Sequence, residues 1–92
     1  MSEIDYEYMF NECGGEQFIN GYDYIFTPLS WNGRKDSYYF IGSLSHRSNN
    51  TLYFLDVQEY IHQAEINFAR NIDIPYGKFY EVDIKKFSFK VL

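Results

Sequence analysis

One stretch, Val57 to Ala69, constrains the fold of this chain more than any other. Its apolar residues Val57, Tyr60, Ile61, Ala64, Phe68 and Ala69 recur at the three-to-four residue spacing that lines up one stripe of an α-helix. The polar residues Gln58, Glu59, His62, Gln63, Glu65, Asn67 and Arg70 fall mostly on the opposite side. Asp56 stands where an N-cap belongs, and Glu59 follows in the capping-box position. Arg70 and Asn71 suit a C-terminal end, where a cation meets the dipole and Asn tolerates a left-handed cap. The pattern predicts an amphipathic helix over 56–70. Such a helix cannot hide its apolar stripe alone, so a sheet is needed to cover it.

The flanking sequence supplies strands for that sheet. Residues 2–13 predict a short N-terminal helix, with Ser2 as cap and Gly14-Gly15 as stop. Its rival is a strand, because Ile4, Tyr6, Tyr8 and Phe10 also alternate. Gln17-Phe18-Ile19 reads as a short strand turned at Asn20-Gly21, a strong hairpin signal. Tyr22–Leu29 reads as a strand, with Pro28 marking an edge position or the strand's end. Ser37–Leu44 reads as the next strand, where Gly42 marks a bulge or a close approach. A loop over Ser45–Asn50 and a strand over Thr51–Leu55 follow, and Ile72–Gly77 connects back. From Lys78 to Leu92 the alternation changes phase: Tyr80, Val82 and Ile84 share one parity, Phe87, Phe89 and Val91 the other. A bulge at Lys85-Lys86 would restore the register of one long strand, and a turn there would make two short ones; the bulge is preferred. The expected class is α+β: a two-layer fold with an antiparallel sheet of about four to five strands, the helix over 56–70 packed on one face, and a short N-terminal helix.

Ninety-two residues make a single domain, 1–92, large enough for one modest core. Aromatic residues form 22% of the chain, with nine Phe, ten Tyr and one Trp. Each buried ring removes roughly 150–250 Å² from water, so twenty exceed what a small core needs. Some tyrosines are therefore expected at the surface, where Tyr is a favoured interface residue. The lone cysteine, Cys13, allows no internal disulfide. The opening residues lack the basic-then-apolar layout of a signal peptide, and no apolar run reaches the length of a membrane span. The expected setting is the cytoplasm.

Charge is unevenly spread. Met1–Gly33 holds six acidic residues and no Lys or Arg; Arg34–Leu92 holds seven acidic and eight basic residues. The acidic end argues against direct binding to nucleic acid, whose phosphates want Lys and Arg. It is compatible with docking onto a basic surface.

Candidate chemistry is sparse. His46, beside Ser45 and Arg47, could act as a general base or phosphate ligand, although a loop histidine is more often an ordinary surface residue. His62, with Glu59 and Glu65 at helical spacing, could hold a metal, although solvated pairing along a helix explains it as well. Cys13 would sit at a helix C-terminus, which raises a thiol pKa and disfavours nucleophilic use. Gly14-Gly15 lacks the strand and lysine of a phosphate loop. No catalytic residue, metal or cofactor is expected.

The one pattern above background interleaves acids with rings. Glu3, Asp5, Glu7, Glu12, Glu16 and Asp23 alternate with aromatics that include Tyr6, Tyr8, Tyr22 and Tyr24. It reads either as a solvated face over buried rings or as an interface. In an interface the carboxylates pair with a basic cleft and the tyrosines anchor the contact. The expected function is a small, acidic, non-catalytic inhibitor that occludes a basic, nucleic-acid-handling protein, with no contact to nucleic acid or membrane. In size, charge and ring content the chain is similar to small phage anti-CRISPR and anti-restriction proteins and to bacterial toxin-immunity proteins; no motif carries the likeness. A second reading is a structural module that self-associates, for instance as a homodimer, through aromatic-rich strands such as Tyr22–Leu29. A third is a small enzyme built on His46.

Overall fold

The computed structural model describes residues 18–63 and 65–92. They form six antiparallel strands and one short 3-10 turn: β1 (Asp23–Pro28), β2 (Tyr38–Ser48), β3 (Thr51–Gln63), β4 (Ile66–Asn71), β5 (Tyr80–Asp83), the 3-10 turn Ile84–Lys86, and β6 (Phe87–Val91). The sheet runs β4-β3-β2-β1-β6, and β5 pairs with β3. The α+β expectation is therefore overturned: the described residues build a nearly all-β protein.

The predicted helix over 56–70 is instead the second half of β3, a tight hairpin turn, and β4. Gln63 pairs with Ile66, leaving two residues between the strands. Asp56 caps nothing. It adopts a left-handed backbone (φ 52°) inside β3. There the register jumps from Ile41↔Gln58 to Ser43↔Leu55, so β3 carries one residue more than β2. This bulge divides β3. Thr51–Phe54 pair with β5, and Gln58–Gln63 pair with β4. A single long strand thus holds two different neighbours along one edge. The short helix expected over 2–13 lies outside the described residues.

Other boundaries also move. Phe18 and Ile19 are not in a strand, although the Asn20-Gly21 turn is present, with Gly21 at φ 90°. The loop expected from Ser45 is strand as far as Ser48, and only Asn49-Asn50 turns, with Asn49 at φ 54°. One residue of β2, between Leu44 and His46, has no counterpart opposite, where Phe54 and Tyr53 are adjacent. The preferred bulge at Lys85-Lys86 is a 3-10 turn capped by Asp83, whose carboxylate accepts from the Lys85 N–H. It makes two strands with different partners: β5 lies on β3 and β6 on β1.

That turn closes the molecule. Only three residues separate β5 from β6, so the two ends of the path β5-β3-β2-β1-β6 must come together. Ile84 donates to the Asn50 carbonyl in the β2–β3 turn, and the Lys86 carbonyl accepts from Leu29 just past β1. The sheet curls around a core of Tyr24, Phe26, Phe40, Leu44, Leu52, Phe54, Val57 and Val82. Phe26 is its hub, stacked on Phe54 at 4.6 Å and on Phe40 at 5.4 Å, with Phe87 edge-on at 5.7 Å. Gly42 serves the close approach expected of it: a Cβ there would lie 2.9 Å from Val57 Cγ2.

Candidate interaction surfaces

One row of residues crosses five strands on the inner face. Phe89 pairs with Phe26, Phe26 with Phe40, Phe40 with Glu59 and Glu59 with Arg70. The row begins in the aromatic core and ends in an ion pair at the sheet margin. Glu59 is only 8% exposed, so its charge needs partners. Arg70 Nε donates to Oε1 at 2.6 Å, and the Tyr38 hydroxyl donates to Oε2 at 2.8 Å. Burial pushes the Glu59 carboxyl toward its neutral form, but the two hydrogen bonds and the Arg70 charge outweigh it and hold the pKa below the ordinary value. Tyr38 moves the other way. Burial, the hydrogen bond to Glu59 and the negative charge beside it push its phenol up to about 12. Burial also raises Tyr80, with the Glu59 charge adding to it. Beyond Glu59 the inner face loses its cover: Ile66 is 59% and Phe68 43% exposed on β4.

The outer face carries a ladder of rings. Tyr39 stacks on Tyr60 at 5.1 Å and on His62 at 5.8 Å. Its hydroxyl and His62 Nε2 are 3.3 Å apart, while His62 Nδ1 faces Asn67 Oδ1 at the same distance. Gln58 Nε2 donates to Asn71 Oδ1 at 2.7 Å and its Oε1 accepts from the Tyr60 hydroxyl. Alternation along β3 puts Glu59 and His62 on opposite faces of the sheet, so the helical spacing that suggested a shared metal does not bring them together.

His46 lies at the far end of β2. Its ring stacks on Tyr53 at 4.5 Å, with Phe79 edge-on at 5.1 Å, and Ser45 Oγ is 3.1 Å from Nδ1. Arg47 donates to the Asn49 carbonyl in the adjoining turn. Ser45 and His46 are sequence neighbours, and the rings that pack on His46, Tyr53 and Phe79, are aromatic. Between β1, β2 and β6 a cavity of about 350 Å³ opens on the outer face, lined by Ile25, Thr27, Tyr39 and Ser88 under Lys35, Asp36 and Lys90. Thr27 Oγ1 is committed to the Tyr38 carbonyl.

Of the partner-facing residues read from the sequence, Glu3, Asp5, Tyr6, Glu7, Tyr8, Glu12 and Glu16 lie outside the described residues. Tyr22 is 44% exposed and Asp23 is exposed at the start of β1. Tyr24 is fully buried, and its hydroxyl accepts from the Ile19 N–H at 2.8 Å, so it packs the core at this end of the sheet. The strand Tyr22–Leu29, offered as an edge for self-association, is interior: β1 pairs with β2 on one side and β6 on the other. The Glu59 and Phe68 features escaped sequence reasoning because both were assigned to a helix. Among the described residues no helix is long and apolar enough to cross a membrane. Compared with family models, with curated proteins and with solved structures, the chain matches none.

Proposed function

We propose that this protein is a small, non-catalytic inhibitor that docks an acidic end onto a basic, nucleic-acid-handling protein. The distribution of charge carries the reading. Residues 18–92 contain eight acidic and eight basic residues, so the β body is formally neutral. Residues 1–17 contain five acids, Glu3, Asp5, Glu7, Glu12 and Glu16, and no Lys or Arg. The whole formal charge of −5 therefore belongs to one short segment. It precedes Phe18 in the chain, and Tyr22 and Asp23 a few residues further on are exposed. In this reading the neutral body is a platform, the acids attract the partner over distance, and tyrosines such as Tyr6, Tyr8 and Tyr22 supply the desolvated contacts that hold it.

The test is affinity capture from a lysate, followed by mass spectrometry. One bait is the wild type. The other has Glu3, Asp5, Glu7, Glu12 and Glu16 changed to Gln. The proposal expects a basic nucleic-acid-binding protein on the first bait and its loss from the second. Equal retention by both baits would refute it.

A further inference from the structure

We infer that β4 is a docking edge for a second copy of this chain, forming an antiparallel dimer with its two-fold axis at Phe68. Three strands have a side without a sheet neighbour among the described residues: β4, β5 and β6. Natural sheets protect such sides with short strands, lysines, prolines or bulges. β5 is four residues long. β6 follows Lys85 and Lys86 and carries Lys90. β4 has none of these devices. It is six residues, Ile66–Asn71, all exposed, with unbroken register to β3 and neither Lys nor Pro.

The hydrogen-bond directions of β4 follow from its neighbours. Ile72 donates to the Val57 carbonyl, continuing the β4 side of the ladder, and His62 donates away from β4, to Ser37. With the two-residue turn between Gln63 and Ile66, alternation directs the backbone of Ile66, Phe68 and Arg70 toward β3. The N–H and C=O groups of Asn67, Ala69 and Asn71 then point outward. An axis at Phe68 pairs Asn67 of each copy with Ala69 of the other, which satisfies these groups. It sets Phe68 against Phe68 as a close non-hydrogen-bonded pair on the inner face. Ile66 falls beside the stem of Arg70. Phe68 and Ile66, now 43% and 59% exposed, would be covered.

Charge permits this pairing. Arg70 is the only ionisable residue of β4, and Glu59 neutralises it at 2.6 Å, so two copies bring no unpaired like charges to the seam.

Light scattering coupled to size exclusion, run over a dilution series, tests the inference with three proteins. The wild type should approach twice its 11.1 kDa mass at the concentrated end and fall toward it on dilution. Ala69→Pro deletes an outward N–H that β3 does not use, and Phe68→Lys opposes two ammonium groups at the axis. Both should keep the wild-type circular dichroism spectrum yet remain at 11.1 kDa throughout. A wild type at monomer mass at every concentration would overturn the inference. So would a doubled mass that survives in either variant. If one variant fails to fold, the other still decides.

Discussion

Glu59 decides how the inner face responds to pH. Its folded pKa is held below the ordinary value, so the ionised form stabilises the fold above the unfolded glutamate pKa of about 4.3. That contribution is lost as pH falls through the lower, folded value. Tyr38 has the opposite sign. Its pKa rises from the ordinary tyrosine value to about 12, so its neutral form stabilises the fold below about pH 10, and this is lost as pH rises through the folded value. A melting temperature followed against pH should be level near neutrality and decline on both sides. Tyr38→Phe removes the hydroxyl from the Glu59 oxygen and should cost about 1 kcal/mol at neutral pH in urea unfolding. It should also flatten the alkaline decline, which a mere packing defect would not do. Gly42→Ala tests the core at the same scale. The new methyl would meet Val57 Cγ2 at 2.9 Å and Phe54 at 3.2 Å, so a loss of about 1–3 kcal/mol is expected. An unchanged urea midpoint would contradict the packing described for β2 on β3.

At the scale of the element, β3 shows what was readable in the sequence and what was not. Tyr22–Leu29, the Asn20-Gly21 turn and the early part of β2 were legible because alternation and turn chemistry agree there. In 56–70 they disagree. Val57, Glu59 and Ile61 share the inner face, but a carboxylate stands in the middle of that set and spoils the period-two signal. Tyr60 adds an apolar ring to the outer face, so the same letters fit a period of 3.6. Between Gln63 and Ile66 the sequence offers none of the Gly, Asn or Asp that announce a hairpin turn. The β-branched and aromatic content of Val57, Tyr60, Ile61, Ile66 and Phe68 was the signal that favoured strands. At the closing turn, Asp83 was the overlooked cap. Asp56 offers the direct check. At φ 52° a glycine should be accommodated without loss, whereas Asp56→Val, β-branched in a left-handed site, should lose about 1–2 kcal/mol. Equal stability of the two variants in urea would contradict the bulge that lets β3 serve both β4 and β5.

At the scale of the molecule, charge is unevenly distributed along the chain. The curled sheet is a neutral body held by an aromatic core and tied shut by the turn over 84–86. The net charge belongs to residues 1–17, ahead of that body. The proposed interface rests on charge, which is counted from the sequence without a fold. The sequence did not separate Tyr22, which is exposed, from Tyr24, which is buried, because one strand alternates between faces. The proposed inhibitor uses the acidic segment for encounter. The most direct test is the association rate constant with the captured basic partner, measured by stopped flow at a series of ionic strengths. For the wild type the rate should fall steeply with salt, because screening shortens the reach of its charge. For the variant with Glu3, Asp5, Glu7, Glu12 and Glu16 changed to Gln, the rate should start lower and depend only weakly on salt. Identical rates and identical salt dependence in the two proteins would contradict the central claim that the acidic end steers this protein to its partner.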